Sequence, residues 1–105
     1  MIVVSRFIVP EAGGAAFLAR GQAALDAMAD RPGYTGGRLG RAVDDPTHWV
    51  LVTEWDGVGS YRRALSSYEV KVNASPLLAE SANEPSAYEV LVGDDGRHSS
   101  DRAGG

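Results

Sequence analysis

HWVLVTEW, residues 48–55, is the stretch that decides how this chain folds. Trp49, Leu51, Thr53 and Trp55 alternate with Val50, Val52 and Glu54. Aromatic and β-branched residues at a period of two predict a strand with two distinct faces. Asp56-Gly57 ends it. Upstream, Asp44-Asp45-Pro46-Thr47 has turn chemistry, because short polar side chains bond their own backbone and proline fixes φ. A short turn makes the strand before it antiparallel. That strand is Tyr34 to Val43, and its Gly36-Gly37 pair marks a bulge or a close backbone approach.

Working outward, residues 2–9 (IVVSRFIV) read as a first strand that Pro10 stops. Both of its alternating sets, Ile2/Val4/Ile8 and Val3/Phe7/Val9, are apolar, so both faces need cover. One helical layer covers one face, and a second copy of the chain is a natural cover for the other. Residues 12–30 predict a helix with Phe17, Leu18, Leu25 and Met28 near one stripe, ended by Asp30-Arg31-Pro32-Gly33. Residues 58–66 read as a short helix carrying Tyr61, Ala64 and Leu65, and 68–80 as a second, less regular one. Pro85 precedes a last strand, Ala87 to Val92. The order β-α-β-β-α-β predicts an α+β, ferredoxin-like domain over residues 1–92, with a four-stranded antiparallel sheet and helices on one face. Residues 93–105 (GDDGRHSSDRAGG) read as a disordered tail.

Composition narrows the function. A chain of 105 residues, 44% apolar, suits one domain with one core. The absence of cysteine excludes disulfides, thiolate metal sites and a cysteine nucleophile. The net charge is −4 and Arg62-Arg63 is the one dense basic pair, so no nucleic-acid partner is expected. No apolar run approaches the roughly 20 residues of a membrane span, and Met1 leads into Ile2-Val3-Val4 without a basic segment. The expected location is the cytoplasm.

The segment HWVLVTEWDGVGSYRRAL, residues 48–65, resembles the antibiotic-biosynthesis monooxygenase family: a strand ending Thr-Glu-Trp, a small loop, then a helix beginning near Tyr-Arg. Pro32-Gly33-Tyr34 and Pro85-Ser86-Ala87-Tyr88 resemble the family's approaches to its second and last strands, so the likeness spans about residues 2–92. The resemblance implies a homodimer of face-to-face sheets, a dimeric α+β barrel, with a pocket between sheet and helices in each subunit. It also implies oxidation of a phenolic or polycyclic aromatic small molecule by O₂ with no cofactor and no metal. The substrate supplies the electrons, and the protein binds the ring, favours its anion and excludes water. By the same resemblance Trp55 and Tyr61 are the catalytic pair, and Leu51, Tyr34 and Leu65 bind substrate. Quinone-forming relatives carry an Asn four residues before the Trp. Leu51 stands there in this chain and donates no hydrogen bond.

Other readings attach to the same residues. Trp55 also reads as a core cap with Nε1 on a nearby carbonyl, and Tyr61 as a packing residue with an open hydroxyl. Tyr34 and Tyr88 suit a sheet, and Trp49 suits packing or a subunit contact. Glu54, mid-sheet, needs a partner, and Arg6 across the sheet is the expected one. Leu51 favours a non-catalytic ligand-binding or accessory dimer. A cyclase or isomerase would need Glu54 or Glu69 inside the pocket. A haem-degrading relative would need an axial ligand where Asn73 stands, so haem is not expected.

Overall fold

The computed structural model of the chain describes residues 1–94. Four strands carry it: β1 (Ile2–Ile8), β2 (Tyr34–Ala42), β3 (Asp45–Trp55) and β4 (Ala87–Tyr88). They form one sheet in the order β2-β3-β1-β4 with every neighbouring pair antiparallel. After a single 3-10 turn at Glu11–Gly13 comes α1 (Gly14–Ala29), and between β3 and β4 lie α2 (Val58–Leu65), α3 (Tyr68–Asn73) and α4 (Ser75–Leu78). This is the expected α+β, ferredoxin-like β-α-β-β-α-β arrangement, with the second helical unit in three pieces.

The period of two in β3 maps onto burial. Trp49, Leu51, Thr53 and Trp55 are buried beneath the helices, and Val3, Ser5 and Phe7 of β1 continue that face. Phe17, Gly21, Ala24, Ala27 and Met28 of α1 pack down on it, joined by Ala64, Val70 and Leu77. Each large apolar side chain so buried contributes on the order of 1.5–3 kcal/mol. The outer face carries Ile2, Val4, Val50 and Val52, all partly exposed, with Ile8 74% exposed.

Several expectations need correcting. The hairpin turn is Val43-Asp44, and Asp45-Pro46-Thr47 already belong to β3. Asp45 Oδ1 accepts from the Thr47 N–H at 3.0 Å and from the Thr47 hydroxyl at 2.6 Å, so the turn chemistry fastens the start of the strand instead. Leu18 is solvent-exposed, because the stripe of α1 runs through Gly21 and Ala24. β4 ends at Tyr88: Ile2 pairs with Tyr88, so residues 90–92 extend past Met1 and find no β1 backbone beside them. Arg6 faces Val50, four residues along β3 from Glu54, and binds Glu84 at 3.1 Å. Glu54 is exposed. The tail expected over 93–105 lies, from residue 95 onward, outside the described residues.

Candidate active site

Three of the expected site residues meet at one end of the sheet. Tyr34 begins β2 and pairs across the ladder with Trp55, the last residue of β3. Their rings stand edge to face, centroids 5.3 Å apart at 86°. Tyr61, on the first turns of α2, reaches the same indole at 5.5 Å and 53°. Edge-on and tilted contacts of this kind match the ring quadrupoles and stabilise beyond area burial alone. Leu65 lies four residues beyond Tyr61 and so on the same face of α2, partly buried against the core.

Local backbone chemistry explains the convergence. α1 ends before Pro32, and Gly33 takes φ +89°, a left-handed turn that favours glycine and starts β2. A register shift follows between Tyr34 and Gly36. The Tyr34 ring folds back over Gly37, where any Cβ would strike the Tyr34 hydroxyl and come within 2.8 Å of Leu25. The bulge falls at Thr35, just ahead of the glycine pair, and the close approach is at Gly37 alone.

The hydrogen-bonding capacity of the cluster is uneven. Trp55, 2% exposed, donates Nε1 to the Thr53 hydroxyl at 2.9 Å, two residues back on the same strand face. That acceptor is a side chain rather than the carbonyl anticipated, and it leaves Trp55 to act through its ring. The Tyr61 hydroxyl binds no group among the described residues. Burial pushes the Tyr61 phenol above its ordinary value, and burial followed by the charge of Asp26 does the same for Tyr34. Both are protonated at neutral pH, so Tyr61 can donate a hydrogen bond and does not serve as a base.

Leu51 stands apart. It is 2% exposed between Leu39 of β2 and Ser5 of β1, four residues from Trp55. Four strand residues span about 13 Å. Ser5, also buried, is the polar neighbour in that row. The best-formed clefts on the described residues are not lined by Leu51, Trp55 or Tyr61. One of them, about 540 Å³, lies between Met1, Val58, Tyr88 and Val90. Its rim residue Val58 precedes Tyr61 by three positions on α2. Trp49 packs edge-on to Phe17 at 5.2 Å beneath the Arg41 guanidinium, a core role.

Glu54 and Glu69 are both exposed, and Glu69 engages Asn73 on its own helix, so neither is a buried acid. No cluster of three or more His, Cys, Asp or Glu suited to a metal occurs among the described residues. Nor is any helix there long and apolar enough to cross a membrane. Thr53 as the indole's partner, and Ser60 and Asp56 beside the cluster, are site residues that the sequence expectations do not include. A Thr two residues before a strand Trp, and an Asp-x-x-x-Ser spacing into a helix, were the available signals.

Solved structures with this fold are numerous. SnoaB from Streptomyces nogalater, a cofactor-independent oxygenase solved as a mutant, is 25% identical, with a TM-score of 0.69 over 90% of this chain and 95% of that one. An antibiotic biosynthesis monooxygenase candidate from Deinococcus radiodurans is 14% identical, with a TM-score of 0.71 over 90% and 97%. One from Nitrosomonas europaea is 17% identical, with a TM-score of 0.68 over 87% and 98%. The last two likenesses speak to the fold alone. No curated protein matches the chain in sequence. The family profile described as antibiotic biosynthesis monooxygenase matches residues 1–72, more than half of the 105, and the chain therefore belongs to that family.

Proposed function

We propose that this chain is a cofactor-independent monooxygenase that oxidises a phenolic or polycyclic aromatic small molecule with O₂. The observation that carries the reading is the Tyr34–Trp55–Tyr61 cluster, in which a protonated, half-buried phenol has no acceptor among the described residues. Likeness to a cofactor-independent oxygenase supports it. Substrate enters from the cleft bordered by Val58 and Tyr88, whose volume of about 540 Å³ suits a polycyclic ring system. The ring lies against the Tyr34–Trp55–Tyr61 cluster, with Leu65 as apolar wall, and Leu51, buried four residues along β3, lies outside that contact. Tyr61 donates to the substrate oxygen as charge gathers there, stabilising the anion that O₂ attacks. For an anthrone, the ring CH₂ becomes C=O, one oxygen atom enters the product and the other leaves as water. The working unit is a cytoplasmic homodimer.

The test is oxygen uptake with anthrone, using protein freed of metal and flavin. The expected outcome is uptake above the spontaneous rate, lowered by about 10²-fold or more in Tyr61→Phe if one donor to the developing oxyanion is removed. Unchanged turnover in Tyr61→Phe removes Tyr61 from the mechanism. A second reading, a non-catalytic dimer that binds aromatic ligands, draws on the buried Leu51 at the position where quinone-forming relatives carry Asn. Anthrone binding without oxygen uptake would favour it.

A further inference from the structure

The three rings of the cluster share a feature of sequence. Tyr34 directly follows Gly33, Trp55 directly precedes Asp56, and Tyr61 directly follows Ser60. Gly33, Asp56 and Ser60 are themselves joined. The Asp56 N–H donates to the Gly33 carbonyl at 2.8 Å. The Ser60 hydroxyl donates to Asp56 Oδ1 at 2.5 Å, across the turn that opens α2. Arg63 Nη2 donates to Ser60 Oγ at 3.2 Å from the following turn of the helix. Gly33 lies so close over this pair that a Cβ there would strike the Ser60 side chain and approach Asp56 Oδ1 within 2.7 Å. Each ring-bearing residue is therefore one peptide unit from a node of a single polar junction.

We infer that Ser60, acting through Asp56, is the positioning residue of the aromatic cluster: its hydroxyl fixes the first turn of α2 against the end of β3 and the start of β2, and so sets where Tyr61 stands relative to Trp55. Beyond its backbone N–H, which donates to the Gly57 carbonyl at 3.4 Å, no polar contact of Tyr61 itself holds it. Its hydroxyl has no partner among the described residues, and the α2 N-cap, Gly57, supplies no side-chain bond. The fold does not depend on the junction to the same degree. Asp56 is exposed, so in Ser60→Ala water takes up the acceptor that the hydroxyl leaves and no buried charge is stranded. Ser60 is 7% exposed but small, and Ser60→Ala leaves no large cavity. For catalysis this inference rests on the oxygenase reading; for geometry it does not.

The two tryptophans provide the measurement. Trp55 sits between the rings of Tyr34 and Tyr61, whereas Trp49 packs on Phe17 and Arg41. Ring currents therefore shift the Trp55 proton resonances from their random-coil positions, and a spectrum of Trp55→Phe assigns them. In Ser60→Ala and in Asp56→Ala, the Trp55 resonances are expected to move toward random-coil positions while those of Trp49 stay in place. Asp56→Asn keeps an acceptor oxygen for Ser60 and is expected to retain the wild-type spectrum. Where anthrone is turned over, kcat in Ser60→Ala is expected to fall about tenfold or more with KM changed less than about twofold, because misplacement acts on orientation more than on binding. Trp55 resonances that do not move in either alanine variant, or both tryptophans moving together, would overturn the inference. Unchanged kcat in a variant whose Trp55 resonances have moved would overturn its catalytic part. If the wild type consumes no oxygen, the oxygenase reading fails while the spectra still decide whether Ser60 positions the rings.

Discussion

Thr53 shows what a single residue contributes to this site. Its hydroxyl is the acceptor for the Trp55 indole, and both side chains are buried, at 3% and 2% exposure. A buried N–H without an acceptor loses its hydration and gains nothing in return. Thr53→Val keeps the shape and removes the acceptor, and the expected cost is about 1–3 kcal/mol. Urea denaturation should show a lower midpoint with an unchanged m-value. An unmoved midpoint would mean that the indole finds another partner and that Thr53 does not hold it. At this scale the sequence was partly legible. The alternation in residues 48–55 put Trp55 on the inner face, but it could not say whether the donor would meet a carbonyl, a hydroxyl or a ligand. That depends on a rotamer.

Among the elements, strands were read more reliably than their pairing. The period of two in β3 and the apolar run of β1 survive intact because they report local geometry. The supposed Arg6–Glu54 pair failed because it required a register: with Ile2 opposite Glu54, Arg6 falls opposite Val50. β4 failed in length for a related reason, since Val90-Leu91-Val92 has strand propensity but no neighbour to pair with. Propensity without a partner does not make a strand. Leu18 falls off the buried stripe of α1 because the helix makes its contact through small residues, which a hydrophobic pattern does not mark. The helix presents Gly21 to β2, and a Cβ there would stand 2.5 Å from Leu39 Cδ2. The absence of a side chain lets helix and sheet approach. Gly21→Val, with two methyl groups beyond that Cβ, should push α1 off the sheet and destabilise by about 1–3 kcal/mol, although valine is the better helix former. Thermal unfolding measures it, and a variant as stable as the wild type would show that Leu39 yields to the added bulk.

For the molecule as a whole, the outer face of the sheet decides the assembly. The helices cover one side only, and the other exposes a patch built from Ile2, Val4, Val50, Val52 and Ile8, with Tyr88 at its edge 40% exposed. Val4 pairs directly with Val52, which makes these two the centre of the patch. An apolar sheet face left in water is unfavourable by the area it exposes, and a stable contact between two proteins takes about 800 Å² from each. A face whose apolar centre is bordered by Arg6, Arg38 and Glu54 can supply that against its own copy, because a two-fold axis brings identical patches together and sets unlike charges across from one another. The two apolar sets of β1 raise the expectation of a second cover, and the helices of the single chain bury only one of them. Sedimentation equilibrium is therefore expected to give twice the 11.1 kDa of the chain. Val52→Asp, which places a carboxylate at the centre of the patch, should return the mass to that of one chain. Far-UV circular dichroism should be unchanged, because Val52 is only partly buried within the single chain. A wild type that sediments as a monomer at high concentration would refute the dimer. A Val52→Asp protein that stays dimeric would move the interface to another surface and leave the outer face to a different partner.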